Sequence, residues 1–177
     1  DGVVWCGTVA NGTLITRRNG VPLISGNSTP KKRIGTWWRH SWEWLAYQNL
    51  ARHFAHEPNI TFKVDKSYHS WLDIQGQQVR FHHGDAVKFG GGVGGVVITM
   101  RKKISQWNKA RRADCDILGH FHQHMADWTF VLSGCVVGTN AYAIDIGAEI
   151  QPPTQTFIVF DRNYGRVLTL PIFVEKA

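Results

Sequence analysis

Three short segments place side chains that can bind a metal directly after an apolar or alternating, strand-like run. Residues 26–27 are Gly-Asn, residues 82–85 are His-His-Gly-Asp, and residues 119–122 are Gly-His-Phe-His. In α/β folds, ligands collect beyond the carboxyl ends of strands, and small neighbouring residues let the backbone turn sharply there. Imidazole and amide ligands without a thiolate suit Mn, Fe, Ni or Zn. These segments therefore predict a divalent metal site.

The candidate ligands share this position at the end of a strand-like run, and they are Asn27, His83, His120 and His122. Asp85 is a candidate partner that orients a ligand histidine or its loop, since metal-bound imidazoles usually need one. His120 and His122 point the same way if strand geometry continues through them, and they can serve two different ions if it does not. Five other histidines are interpreted as structural or surface residues: His40, His53, His56, His69 and His124.

The sequences GHFHQ at 119–123 and HGD at 83–85 resemble motifs of the calcineurin-like metallophosphoesterases, particularly the phage and DNA-repair phosphodiesterase branch. The resemblance covers residues 23–173 and implies a sandwich of two mixed β sheets flanked by helices. It also implies a dinuclear centre in which a bridging hydroxide attacks phosphorus while the ions neutralise the phosphoryl oxygens. By this resemblance Asn27, His83 and His120 hold the second ion and His122 holds the first. His83, His120 and His122 are then the catalytic residues, with one or two ions of Mn, Fe, Ni or Zn per chain.

The sequence departs from the family pattern in two places. Ser28 stands where the Gly-Asn motif of the family continues with a histidine that protonates the leaving oxygen, and a serine hydroxyl is no general acid near neutral pH. The family also has Asp-x-His and Gly-Asp motifs upstream, whereas residues 1–26 contain one carboxylate, Asp1, and no histidine. We therefore expect residues 1–177 to form a single domain of this type that is N-terminally incomplete or degenerate.

Hydrophobic periodicity indicates the elements that must position these side chains. Asn-Gly pairs at 11–12 and 19–20 predict β-hairpins. Apolar residues at three- and four-residue steps predict a helix from 39 to 56 and a second from 97 to 111, the latter with a stripe of Val97, Met100, Ile104 and Trp107 on which Arg111 does not fit. Strands are expected at 60–64, 68–74, 77–82, 115–118, 157–160 and 166–173, with tight turns at 75–76 and 163–165. This mixture predicts an α/β or α+β fold.

The charge of the chain is unevenly distributed. There are 20 Lys and Arg against 13 Asp and Glu, and residues 96–113 contain six basic side chains and no acidic one. Two interpretations stay open, namely solvated helical faces or an electrostatic path for a polyanion. On the second interpretation the candidate nucleic-acid contacts are Lys31, Lys32, Arg33, Arg101, Lys102 and Lys103.

A glycine-rich loop lies between the His-His-Gly-Asp segment at 82–85 and the Gly-His-Phe-His segment at 119–122. Gly90, Gly92 and Gly95 match G-x-G-x-x-G, but the motif is not tight against a first strand as dinucleotide binding requires. A loop beside the metal site, with backbone N–H groups that could meet a phosphate, is the favoured interpretation.

Two functions fit these observations. The first is a metal-dependent phosphoesterase, a phosphodiesterase or nuclease, with a phosphodiester substrate for which DNA and RNA are candidates. The alternative is a catalytically degenerate module of the same fold that binds nucleic acid or has a structural role in a phage. Three cysteines without metal-binding spacing, no apolar stretch near 20 residues and no leader-like start predict a cytoplasmic protein without membrane contact, in the host cell if a phage encodes it.

Overall fold

The computed structural model describes residues 13–18, 21–26, 42–88, 93–138 and 150–174, together with residue 144. These residues form a mixed α+β structure, as predicted, with two α-helices, a three-stranded sheet, a mixed five-stranded sheet and a two-stranded sheet. None of the helices in this part of the chain is long and apolar enough to cross a membrane. The chain divides into two compact units, Asp1–Ser70 and Trp71–Ala177, and the single-domain expectation stays a prediction.

The first unit contains a three-stranded antiparallel sheet. Its strands are β1 (Thr13–Arg18), β2 (Val21–Gly26) and β3 (Thr61–Phe62), in the order β2-β1-β3. Arg18 lies opposite Val21, so only residues 19–20 connect β1 to β2. The hairpin predicted at this Asn-Gly pair is therefore confirmed.

Helix α1 (Trp42–His53) belongs to the same unit and ends three residues before the predicted boundary. Beyond His53 the chain tightens, because Ala55 N–H donates to the carbonyl of Arg52 at 3.2 Å instead of continuing the helical pattern. Pro58 follows, and a residue before proline avoids helical geometry. The side chain of Tyr47 is buried and packs against Leu50 and Val64, which anchors the helix within this unit.

The five-stranded sheet belongs to the second unit apart from Ser70, the first residue of β4. Its strands are β4 (Ser70–Ile74), β5 (Gln77–His82), β6 (Cys115–Leu118), β7 (Met125–Ala126) and β8 (Phe130–Leu132). The spatial order is β4-β5-β6-β8-β7, with β5, β6 and β8 parallel and β7 antiparallel to β8. The parallel strands β5 and β6 carry the two predicted histidine motifs at their carboxyl ends.

The turn between β4 and β5 was predicted at residues 75–76 and is confirmed. Gln75 and Gly76 have φ values of 56° and 86°, both in the left-handed region. A two-residue type I′ hairpin turn requires this conformation at both central residues. Asp73 Oδ1 accepts the N–H of Gly76 at 2.9 Å and stabilises the turn.

Helix α2 (Gly95–Asn108) forms the crossover between β5 and β6. It begins two residues before the predicted start at 97 and ends three residues before the predicted end at 111. Val96, Met100 and Ile104 are buried in one cluster with Leu118 and Phe130, and the predicted stripe residues Val97 and Trp107 pack partly buried against it. The apolar stripe is therefore confirmed in position, with Val96 more deeply buried than Val97.

Arg111 did not fit the helical stripe because it lies beyond the end of α2. Its guanidinium lies 3.9 Å from the ring centroid of Trp71 and donates to Gln78 Oε1 at 2.9 Å. The position that a helix would have buried is instead occupied by an exposed arginine stacked on an aromatic ring, a favourable cation–π contact.

A separate antiparallel pair follows near the end of the chain. It consists of β9 (Thr154–Asp161) and β10 (Gly165–Phe173), which contain the two predicted strands. Asp161 Oδ1 accepts the N–H groups of Asn163 and Tyr164, so the turn predicted at 163–165 is also confirmed.

A buried ion pair joins β5 to β6 in the interior. Arg80 lies opposite Asp116 across the parallel strands, and each side chain is 1% exposed. Arg80 Nε donates to Asp116 Oδ1 at 2.6 Å and Nη2 donates to Oδ2 at 2.9 Å. Asn108 Oδ1 and the carbonyl of Arg111 accept further guanidinium N–H groups. A buried charge pair is tolerated only when its polar atoms are satisfied in this way.

Replacing one member of this pair should destabilise the protein strongly. Arg80→Ala leaves the Asp116 carboxylate buried without its guanidinium, at a cost of about 3–5 kcal/mol in the free energy of unfolding. Arg101→Ala is the matched control, because Arg101 pairs with Asp127 at 2.7 Å while 58% exposed, and an exposed pair contributes at most about 1 kcal/mol. Urea unfolding of both variants measures the difference, and equal losses would contradict this account of the pair.

Candidate metal centre

The carboxyl ends of β5 and β6 bring the two histidine motifs to the same edge of the sheet. His82 lies opposite Leu118 in the parallel register, so His83 and Gly119 leave the sheet side by side. Gly119 N–H donates to the carbonyl of His83 at 3.2 Å, which ties the two loops together. The register of the two strands therefore brings both loops to one place.

His83 and His120 face each other across this edge. His83 Nε2 lies 3.1 Å from His120 Nδ1, with the ring planes at 74°. Two imidazole nitrogens bound to one ion at about 2.0–2.1 Å, on adjacent coordination positions, are separated by about 3 Å. The pair fits that geometry, and it also fits a hydrogen bond in which one ring donates to the other. Binding of an ion would replace the shared proton.

The backbone after β6 leaves strand geometry at the motif itself. His120 and His122 have φ values of 72° and 57°, in the left-handed region where residues other than glycine are uncommon. Strand geometry therefore does not continue through His120 and His122, and this was the condition for their side chains to point the same way. Left-handed conformations of this kind cost about 1–3 kcal/mol each and cluster at functional sites.

Gly84 is required for the close approach of the two loops. Its φ is 113°, and a Cβ at this position would lie 3.0 Å from His120 Cβ and 3.0 Å from Leu118 Cδ1. The absence of a side chain lets the loop after β5 pack directly against the loop after β6. The glycine of the HGD motif is therefore needed because a side chain at position 84 would crowd His120.

Burial controls the protonation of His83. Only 8% of the residue is exposed, and desolvation, followed by the positive charge of His120, lowers the pKa of His83 to about 4. Asp85 acts in the opposite direction, and His82 and His122 add smaller lowering contributions. The imidazole is therefore neutral at pH 7, which leaves a lone pair available to a metal ion.

His82, beside His83 on the chain, faces the buried ion pair. Its Nε2 lies 3.3 Å from Asp116 Oδ1, and its ring packs edge-on against Trp107 with centroids 4.7 Å apart. The pKa of His82 is lowered by complete burial, although Asp116 opposes that shift. The polar network of the interior thus reaches the residue that directly precedes His83.

The other predicted site residues have different positions. His122 and Asp85 are half-buried and close enough to act on the pKa of His83. Asn27 lies outside the described residues, as do the predicted nucleic-acid contacts Lys31, Lys32 and Arg33 and the loop residues Gly90 and Gly92. Within the part of the chain that the structure describes, no group of three or more His, Cys, Asp or Glu is arranged to hold a metal ion.

The three candidate nucleic-acid contacts on α2 differ in their surroundings. Arg101 is committed to an ion pair with Asp127, Lys103 lies 5.7 Å from the ring centroid of Trp107, and Lys102 is exposed. Contact of these three residues with nucleic acid stays a prediction.

The sequence reasoning missed the Arg80–Asp116 pair beneath the site. One signal was present, because Asp116 occurs in a predicted strand whose other residues are apolar, and a carboxylate buried in such a strand needs a charged or hydrogen-bonding partner. The identity of that partner was not deducible, since it depends on the pairing of β5 with β6 across 36 residues of chain.

Substituting Gly84 should affect stability and metal binding together. Gly84→Ala introduces both a disfavoured φ and overpacking against His120, for which we expect a loss of about 3 kcal/mol. Gly76→Ala is the control, because Gly76 has φ 86° but no atom within 4 Å of an added Cβ, and should cost about 1 kcal/mol. Chemical unfolding and Ni²⁺ titration of both variants measure the effect. Equal behaviour of the two variants would rule out the steric role.

The depressed pKa of His83 predicts a defined pH dependence of stability. Between pH 4 and 6.5 the unfolded chain protonates this residue while the folded protein does not. The free energy of unfolding should therefore rise with pH across this interval, by about 3 kcal/mol from His83. His83→Gln should flatten the profile by that amount, whereas His56→Gln, at an exposed position, should leave it unchanged. An unaltered slope in His83→Gln would contradict the assignment.

Comparisons of this chain with protein-family models, with curated proteins and with solved structures found no match.

Proposed function

We propose that this protein is a metal-dependent phosphodiesterase of the metallophosphoesterase type, with His83 and His120 as ligands of one ion. The observation that carries the proposal is the 3.1 Å approach of His83 Nε2 to His120 Nδ1. The two residues follow neighbouring parallel strands, where α/β proteins collect their ligands. Both lie in the motifs that resemble the family.

The protonation state of the site supports metal binding near neutral pH. A histidine ligand must be neutral, and burial keeps the pKa of His83 near 4. The rings of His83 and His120 offer only nitrogen, which suits Mn, Fe, Ni or Zn. When bound, such ions polarise phosphoryl oxygens and lower the pKa of water.

The remaining residues of the proposed site have separate roles. Asp85 lies close enough to His83 to favour its charged form, and it would orient the loop that carries the ligand. His122 would bind the other ion, and Asn27 would complete the set around His83 and His120. With one or two ions per chain, the three histidines would form the catalytic constellation.

The proposed architecture is the family's sandwich of two mixed sheets flanked by helices. The five-stranded sheet with its α2 crossover supports the part of that fold that carries the ligands. The proposed substrate is a phosphodiester, and a net charge of +7 favours a polyanionic one.

The alternative is a module that keeps the fold and binds nucleic acid without hydrolysis. Ser28 in place of the leaving-group acid favours this second candidate. The two functions differ in turnover, so one assay separates them.

Hydrolysis of bis-para-nitrophenyl phosphate by protein loaded with Mn²⁺ or Ni²⁺ tests the proposal. The wild-type protein should bind metal and turn over the substrate, and chelation should stop turnover. His120→Ala removes one of the two facing nitrogens and should lower turnover by about 100-fold or more. His56→Ala, which removes an exposed histidine, should leave both metal content and turnover unchanged.

Two results would overturn the proposal. The first is metal content in His120→Ala equal to that of wild type. The second is no turnover by metal-loaded wild-type protein, which would favour the non-catalytic module.

A further inference from the structure

Trp128 is held almost fully in solvent on the short turn between β7 and β8. Its exposed fraction is 90%, although tryptophan usually buries a large apolar area. The indole therefore contributes little to the core of the protein. An aromatic side chain placed in this way is available to stack on another ring.

The turn that carries Trp128 is fixed from several directions. Asp127 Oδ1 accepts the N–H groups of Thr129 and Phe130 and the hydroxyl of Thr129, at 2.7–2.9 Å. Arg101 Nε donates to Asp127 Oδ2 at 2.7 Å, and Arg166 Nη2 donates to the carbonyl of Asp127. Because the backbone beside Trp128 is already ordered, a ligand that stacks on it has little ordering cost to overcome.

Trp128 lines an open groove of about 480 Å³ between this turn and β10. The groove also contains Arg166, Leu168 and Thr169. Arg166 is bonded to Thr169 and to the Asp127 carbonyl, so it helps to fix the groove, and the exposed indole is the side chain that a flat ligand would contact.

Helix α2 supplies a basic face beside this groove. Arg101, Lys102 and Lys109, the last of which directly follows α2 and keeps helical backbone angles, are exposed and fall within an arc of about 100° at 3.6 residues per turn. Arg101 bonds directly to Asp127, the neighbour of Trp128, so the basic face meets the turn. A basic track with an aromatic side chain at its edge is the pattern by which proteins bind single-stranded nucleic acid.

We propose that Trp128 stacks on an unpaired base of a single-stranded nucleic acid whose phosphates follow Lys102 on α2 and Lys109 directly after it. A single strand is required because the base faces of a duplex are already stacked on their neighbours. The surface is separate from the proposed metal centre. Trp128 precedes β8, where Phe130 pairs with Asp116 near the start of β6, whereas His120 follows the carboxyl end of β6. Binding to this surface therefore needs no metal ion.

Fluorescence anisotropy with a labelled oligothymidylate in EDTA tests the proposal, since EDTA prevents metal-dependent cleavage. Trp128→Ala should raise the Kd about 10-fold, and Trp128→Phe should retain most of the affinity because it keeps a stacking ring. Tyr164→Ala is the matched control. Tyr164 is 84% exposed on the turn between β9 and β10 and should bind like wild type when substituted.

The salt dependence of binding tests the phosphate contact. Lys102→Gln should reduce the slope of log K against log salt by about 1, as expected for one lost phosphate contact. Blunt duplex DNA should bind more weakly than the single strand and should not respond to Trp128→Ala.

Three results would overturn the proposal: no binding by wild type, equal Kd values for wild type and Trp128→Ala, or equal losses in Trp128→Ala and Tyr164→Ala. Turnover of bis-para-nitrophenyl phosphate by metal-loaded Trp128→Ala is measured in parallel. Because that substrate has no nucleobase, it reports on the metal centre alone, and a failure of one proposal is distinguishable from a failure of the other.

Discussion

Arg80 and Asp116 form a buried ion pair across β5 and β6, and the geometry of the candidate site follows from it. Both side chains are 1% exposed, and such a pair is stable only if each donor and acceptor is satisfied. Asn108, the last residue of α2, and the carbonyl of Arg111 just beyond it satisfy the guanidinium. The pair therefore links the register of the two strands to the end of the helix that connects them. In this register, His83 and Gly119 leave the sheet together.

Close packing of the two loops and burial of His83 then determine the geometry and the protonation state of the site. Gly84 lets the loop after β5 pack against His120, and a side chain at this position would separate the two loops. Burial keeps His83 neutral, with the facing nitrogen of His120 at 3.1 Å. The left-handed conformations of His120 and His122 are a local cost that the surrounding packing maintains. Strain and a depressed pKa at the same edge are typical of a functional site.

Local patterns in the sequence predicted much of this arrangement, whereas long-range pairing was beyond them. The turn at Gln75 and Gly76, strand β6 and the apolar stripe of α2 each follow from neighbouring residues, and all are confirmed. The adjacency of β8 to β6 and the Arg80–Asp116 pair depend on contacts between distant segments, for which a single sequence has no periodicity signal. The exposure of Trp128 could not be predicted from the sequence either, since tryptophan is usually buried.

The most direct test of the central claim is X-ray absorption at the zinc edge of the Zn²⁺-loaded protein. If His83 and His120 hold one ion, the spectrum should show scattering from at least two imidazoles at about 2.0–2.1 Å. His120→Ala should lose one imidazole from that shell, and His56→Ala should lose none. Zinc without imidazole scattering in wild type, or an identical shell in His120→Ala, would contradict the account.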